Sequence, residues 1–536
     1  MNSPTVVAAR LAIAFVQGVV LYLLYRQLQA KGWPATDGLL FTPLAVVATF
    51  VPLLAITSLG NLRPRTMTIW LAAAALLCVG FGIYDIWRAP LTTNWSGTSA
   101  HILPSPALWG GLATIFFIVH SLVAAGDARR KFIADYAQYH DASWALAIRH
   151  FNSVAFVAVF WGLLWLGAWM FRLIKIELFY ETITKEWFFI TATTLAYACA
   201  IHLTDVREGI VRGSRTLVLN LLSWLLPLIV LIAAGFLIAL IFTGLQPLWN
   251  TRYATSLLLT AAATVIVLIN TTFQETDAES GTAKVLLYAR LVGTVVLVPL
   301  TALAAYGLWL RIAQYGISAS RVLVIALIVV GACYAGGYLI SAIRYRLQFR
   351  GIATTNIATA FVIVGVTLAL LTPIADPARI AVNDQMARLE SGQTPLERFD
   401  FAFLRFHGGR YGEQALLALK TKSGSPEAER ISFKANEALD WRNLADGNRN
   451  RFGSQPPAST PQSRTASITV IHPAGGTLPA AFLAQDWLNF QQRWSLPACL
   501  HVANVKCEAI LADIDGDDTP ESLFGKFKQD CLAFSP

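Results

Sequence analysis

The stretch 217–242, LVLNLLSWLLPLIVLIAAGFLIALIF, decides the fold class. It carries no formal charge, and at about 1.5 Å per residue it is long enough to cross a hydrocarbon core of roughly 30 Å. Comparable runs recur near 8–25, 39–59, 67–84, 108–125, 151–171, 187–203, 253–273, 291–310, 322–343 and 352–371. Of the 536 residues, 55% are hydrophobic and 14% charged, against about a quarter charged in soluble domains. Trp33, Trp87, Trp187 and Trp249 sit at run ends, where amphipathic rings favour the membrane–water interface. The expectation is an all-α polytopic transmembrane bundle of about eleven spans occupying residues 1–373.

The first run continues into Arg26 and Gln27 without a small-residue cleavage site and reads as a retained span. Pro43, Pro52, Pro227 and Pro299 lie inside runs; each removes a backbone donor and crowds the preceding turn, so kinks are expected there. Beyond Pro373 the composition becomes charged, with only short apolar runs. Residues 374–536 are long enough for a water-soluble domain with its own core. That domain is expected to be mixed α/β, with helices at 384–388, 411–422 and 481–494 and strands at 467–471 and 509–512.

The net charge of +9 is scattered through short loops rather than gathered into a stripe, which points to a lipid bilayer and not to nucleic acid as the partner. Alternate loops differ modestly in basic content. The set that holds Arg129, Arg130, Lys131 and Arg149 is richer than the set that holds Arg172, Lys175 and Lys185. Short cytoplasmic loops carry the basic excess. The bias therefore predicts a cytoplasmic N-terminus, and an odd number of spans then places the C-terminal domain on the outer, periplasmic side. Cys78, Cys199 and Cys333 fall in apolar runs, whereas Cys499, Cys507 and Cys531 fall in the tail. In an oxidising compartment two of the tail cysteines can bridge, and Cys499 with Cys507 is the nearest pair in sequence.

The sharpest chemical pattern is the acidic string from Asp513 to Glu521. Asp513, Asp515 and Asp517 alternate through a turn and Glu521 follows four residues on, as oxygen ligands converging on calcium would. Asp518 stands where a turn glycine is expected and Phe524 where an EF-hand would carry a glutamate, so an acidic surface turn is the competing reading. Calcium, if bound, has a structural role. Within the spans no carboxylate lies mid-run; Asp85, Asp205 and Glu275 fall at run ends, where the interface is expected to solvate them. Gln17, His120, His202, Asn220 and Asn270 are candidates to line a polar cavity, with interhelical hydrogen bonding as the alternative. The strings His407–Gly412 and Ala474–Thr477 lack the surroundings of a phosphate loop or nucleophile elbow, and turns account for their glycines.

The string RIAQYGISASR at 311–321 resembles the R-x-x-x-Y-G-hydrophobic-[ST]-x-x-R signature of the bacterial membrane proteins grouped as domain-of-unknown-function family 4153. Residues 269–274, INTTFQ, and 398–406, RFDFAFLRF, followed by Gly409, Arg410, Tyr411 and Gly412, are similar to the same family. The resemblance implies a bacterial inner-membrane location and supplies no catalytic residue, ligand or cofactor. In the 311–321 string, Gly316 is free to take positive φ, Ser318 or Ser320 can cap the next helix, and Tyr315 can anchor at the interface. Three classes of function are open to such a chain. Transport or cell-envelope assembly ranks first on span number, a membrane-anchored sensor or scaffold with an external calcium-stabilised domain ranks second, and an enzyme ranks last because no convergent catalytic set is visible.

Overall fold

The computed structural model describes residues 4–89, 102–206, 208–251, 253–273, 283–345, 350–439, 460–473, 476–485, 498–501, 507–512 and 521–525. Among them, eleven helices are long and apolar enough to cross a membrane. These are α1 (Pro4–Ala30), α2 (Gly38–Ser58), α3 (Pro64–Trp87), α4 (Pro106–Arg129), α5 (Tyr136–Leu173), α7 (Glu186–Val206), α8 (Glu208–Thr243), α10 (Ala254–Thr272), α11 (Lys284–Tyr315), α12 (Ala319–Tyr345) and α13 (Arg350–Leu370). The short helices α6 (Leu178–Ile183) and α9 (Gln246–Asn250) lie in the connections. Leu76, Leu231 and Ile241 are 73%, 71% and 78% exposed, an outward-facing apolar surface that lipid, not water, satisfies.

The fifth helix departs from expectation. It begins at Tyr136, not near Phe151, because 136–150 contains no helix breaker and its polar residues find partners inside the protein. Tyr136, Tyr139, His140, Leu146 and Ile148 are buried, whereas Phe151, Val159 and Leu163 face outward. The expected span is therefore the lipid-facing half of a longer helix. The prolines Pro43, Pro52, Pro227 and Pro299 all lie within continuous helices.

Packing is organised around two apolar centres. One joins α8, α10, α11, α12 and α13 through residues such as Leu226, Val265, Ile269, Leu297 and Tyr338. The other joins α2, α3 and α4 through Val46, Trp70, Cys78, Leu112 and Phe116. Small residues set the closest helix approaches, as van der Waals packing in lipid requires. A Cβ at Gly82 would stand 2.9 Å from Pro43 Cα, so only glycine lets α3 lie against α2 there.

The chain divides into two compact units, Met1–Ile431 and Ser432–Pro536. The first extends past the last span through α14 (Pro377–Glu390), α15 (Phe401–Phe406) and α16 (Gly409–Lys420), and α17 (Pro426–Leu439) runs across the division. The spans end where the composition changes, near Pro373, but the compact unit continues beyond them. In the second unit, α18 (Pro461–Ser467) is closed by a capping box at Thr460 and Ser463 and leads into β1 (Ile468–His472). β1 pairs in parallel with β2 (Cys507–Ala512), and β2 pairs antiparallel with β3 (Glu521–Gly525). Two short helices, α19 (Ala480–Ala484) and α20 (Ala498–His501), complete its described residues. The helix expected at 481–494 is seen only as α19; residues 486–497 lie outside the described set.

Candidate functional site

Helix direction alternates along the chain, so the bundle has one end where α1 begins and an opposite end where α13 finishes; each end carries a buried polar assembly. At the α1 end Arg10 sits within the first span at 2% exposure. Its guanidinium pairs with Asp205 of α7, donates to the Leu59 carbonyl at 2.6 Å and approaches His202 Nδ1 at 3.4 Å. Asp205 also faces Arg149 Nε of α5 at 2.8 Å and accepts from Asn61 Nδ2 at 3.3 Å. A charge in lipid needs a partner of opposite sign. Here one carboxylate holds two guanidiniums and ties together α1, α5, α7 and the turn after α2. The expectation that the interface solvates Asp85 and Asp205 is corrected: they are 7% and 8% exposed and ion-paired inside the protein. Glu275 lies outside the described residues.

A separate, neutral network joins α5, α10, α12 and α13. Asn356 Nδ2 donates to Tyr136 Oη at 2.8 Å and to Asn270 Oδ1 at 2.5 Å. Tyr338 Oη donates to Asn356 Oδ1 at 2.6 Å and accepts from Asn270 Nδ2 at 3.0 Å. Tyr136 Oη lies 3.2 Å from Asn270 Oδ1. Each polar group finds a partner on another helix, which removes the cost of burying it in an apolar surround.

The opposite end holds a joint between the spans and the helices that come after them. Asp376 is fully buried at 0% exposure. Its Oδ1 caps α14 by accepting from Ala378 N at 2.8 Å and Arg379 N at 3.2 Å. Its Oδ2 accepts from Tyr84 Oη at 2.8 Å and from Arg88 at 3.4 Å. Tyr84 Oη also lies 3.0 Å from Tyr411 Oη of α16. Arg88 grips Asp85 through two donors at 3.0 and 2.7 Å, and Asp85 in turn accepts from the Ser105 backbone N–H and hydroxyl, both at 2.7 Å. Burial by itself would lower the Arg88 guanidinium, but the Asp85 and Asp376 carboxylates outweigh it and hold it above its ordinary range. Gly409 approaches so closely that an added Cβ would stand 2.7 Å from the Arg88 carbonyl. Arg410 N donates to that carbonyl at 2.9 Å, and the Arg410 guanidinium lies 4.6 Å over the Trp87 ring.

The tight loop between α11 and α12 docks on the same helices. Gly316 has φ +76° and adjoins Asp384, Gln385 and Arg388 of α14. Asp384 Oδ2 accepts from Ile317 N at 2.7 Å, Arg388 donates to the Ile312 carbonyl at 2.8 Å, and Gln385 Nε2 donates to the Ile317 carbonyl at 3.2 Å. Ser318 Oγ accepts from Arg321 N at 3.4 Å, the expected cap, and Tyr315 is exposed beneath the Arg321 guanidinium. The loop is thus a socket for α14.

The sequence candidates are placed apart. Gln17 spends its amide on the Ala48 and Thr49 carbonyls of α2, at 3.2 and 3.0 Å. His120 Nδ1 accepts from Trp70 Nε1 at 3.2 Å. His202 belongs to the Arg10 cluster and Asn270 to the neutral network, while Asn220 is exposed on the outer face of α8. Gln17 lines a cavity between α1 and α2; His120 lines another, of 190 Å³, with Phe50, Leu54, Phe116, Phe117 and His150. Sequence reasoning missed Arg10 and Asp376. An arginine inside an apolar run is a usable signal, because it demands a buried partner. Asp376 comes just after the last span and gave no such sign.

In the second unit the Cys499 and Cys507 sulfurs lie 2.07 Å apart, with Arg464 buried beside them and donating to the Leu500, Leu483 and Gln485 carbonyls. Asp513, Asp515 and Asp517 lie outside the described residues, as does the side chain of Glu521. Among the described residues no group of three or more His, Cys, Asp or Glu is arranged to hold a metal ion.

A family model described as "Domain of unknown function (DUF4153)" matches residues 11–420. The matched region runs through α16, so it takes in α14, α15 and α16 together with the spans. No curated protein and no solved structure matches the chain.

Proposed function

We propose that this chain, which belongs to the domain of unknown function 4153 family, is a membrane scaffold: its bundle anchors a C-terminal unit for work at the envelope. The observation that carries this reading is the buried joint of Asp376, Tyr84, Arg88 and Tyr411, which fixes the helices after the last span to the end of the bundle. Such a joint transmits position from the spans to α14 and α16. The dispersal of Gln17, His202, Asn220 and Asn270 among separate environments also favours a scaffold over a transport pathway lined by neutral polar groups.

In this reading the protein sits in a bacterial inner membrane with a cytoplasmic N-terminus, a reading supported by the bias of basic residues in alternate loops, and an odd number of spans, eleven by length and apolarity, is consistent with a periplasmic C-terminal unit. A disulfide between Cys499 and Cys507 suits that oxidising compartment, as does a structural calcium ion at Asp513, Asp515, Asp517 and Glu521. A C-terminal alkaline phosphatase fusion is then active, whereas cytosolic fluorescence from a C-terminal fusion reverses the orientation. Calorimetry on the purified full chain checks the metal: millimolar calcium raises the stability of the C-terminal unit, and no shift removes the ion.

The function itself is tested in a strain where loss of the gene has a phenotype. Truncation after Lys420 keeps the spans and the docked helices but removes the second unit. Scaffolding predicts that this truncation abolishes function while the bundle accumulates normally, and that alanine at Gln17, His202, Asn220 or Asn270 acts only through protein level. A functional truncation, together with alanine variants that are inactive at normal abundance, overturns the scaffold and favours transport.

A further inference from the structure

We propose that the cavity between α2, α4 and α5 binds the carbonyl-bearing ring of a membrane-soluble quinone, held by a hydrogen bond from His120 Nε2–H. The inference goes beyond the scaffold reading and does not depend on it. Its starting point is the tautomer of a histidine that is 4% exposed. An indole N–H only donates, so the 3.2 Å contact from Trp70 Nε1 makes His120 Nδ1 the acceptor. In the neutral ring the proton must then reside on Nε2. That donor has no protein partner among the described residues, and His120 lines the cavity. A donor that opens on an apolar cavity without an acceptor is costly where no bulk water reaches it.

The surroundings narrow the occupant. His150, on the facing helix α5, is held through Nδ1 by the Tyr197 hydroxyl and presents a second imidazole edge to the cavity. Among the described residues, no formally charged one lines the space. Neighbouring Arg149 is already engaged with Asp205, so the ligand is uncharged. Phe50, Phe116 and Phe117 supply aromatic walls, with the first two in edge contact at 5.3 Å. The volume of 190 Å³ suits one substituted ring, since a cavity of about 150 Å³ accommodates benzene. His120 lies nine residues inside the Arg129 end of α4, and the lining continues a further seven residues along the helix to Ala113, so the cavity follows the apolar length of α4. Ala113 and Phe117 line the cavity and are exposed on the outer face of the bundle, which gives an apolar tail an exit into lipid. A planar, neutral, lipid-soluble ring with carbonyl acceptors meets each of these conditions.

The test uses the full chain in phosphatidylcholine nanodiscs, titrated with decyl-ubiquinone and referred to empty discs. Saturable binding at one ring per chain is expected. Leucine at His120 weakens it about tenfold, the size of one lost hydrogen bond. Glutamine there, which retains an N–H donor, restores part of the loss. Because a core variant can misfold, Ala113→Trp provides a second arm. It fills the mouth from the lipid-facing side, leaves the core intact and is expected to block binding. Titration equal to that of empty discs, or unchanged affinity in both H120L and A113W, overturns the proposal. So does phosphatidylglycerol that co-purifies at one molecule per chain and competes with decyl-ubiquinone, because the occupant is then a phospholipid.

Discussion

Alanine at Asp376 is expected to release α14 from the bundle without unfolding the spans. The carboxylate does two jobs. Its Oδ1 caps α14 through Ala378 N at 2.8 Å and Arg379 N at 3.2 Å, and its Oδ2 receives Tyr84 Oη at 2.8 Å and Arg88 at 3.4 Å. Loss of the cap costs about 1 kcal/mol, and loss of a hydrogen bond to a charged group costs about 2 kcal/mol. The larger penalty for a stranded buried charge does not apply, because Arg88 keeps Asp85 at 2.7 Å. The total of about 3 kcal/mol raises the undocked population about 100-fold. Hydrogen exchange followed by mass spectrometry on the detergent-solubilised chain reads this directly. Peptides covering Pro377–Glu390 should exchange about 100-fold faster, while those from α10 to α12 keep their protection. Asparagine at the same position keeps a competent cap but drops the charge, and should show a smaller acceleration, about tenfold. Unchanged protection of α14 in the alanine variant would refute the joint. Equal loss of protection across all spans would show that Asp376 stabilises the bundle itself and not the docking.

Gly316→Ala should cost about 2 kcal/mol, since it forces a side chain into φ +76° and sets a Cβ 2.6 Å from Asp384 Oδ2; faster proteolysis at 391–399 with intact spans is the readout. Asp205→Leu leaves the buried Arg10 guanidinium and the half-buried Arg149 guanidinium without their shared carboxylate and should lower folded yield severely, by about 3–5 kcal/mol. Arg10→Leu leaves the Arg149–Asp205 pair at 2.8 Å and should be milder, so detergent-soluble yields that rank the other way contradict the charge assignment. Asn356→Leu breaks the contacts at 2.5, 2.6 and 2.8 Å that join α5, α10, α12 and α13 and should cost about 1–2 kcal/mol; a thermal midpoint in detergent equal to the parent's would show that the network contributes nothing.

The sequence by itself determined the solvent and the spans. A run such as 217–242 has no stable state in water other than deep burial, and its length matches the bilayer. The family resemblance carried by Arg311–Arg321 was equally local, and so were the positive φ of Gly316 and the cap by Ser318. What tertiary structure decided is where the polar groups went. Asp205 reads as an interfacial carboxylate in the sequence, yet Arg10, distant by 195 positions, reaches it inside the bundle. Asn270 and Asn356 look like isolated polar residues until four helices bring them together. The Tyr84 contact to Asp376 closes across 292 positions, and it is this contact that ties α14 to the spans instead of leaving it with a separate domain. Hydropathy is a property of neighbours along the chain and survives without a fold. Satisfaction of a buried donor or charge depends on atoms from remote segments, so it exists only once the helices have packed.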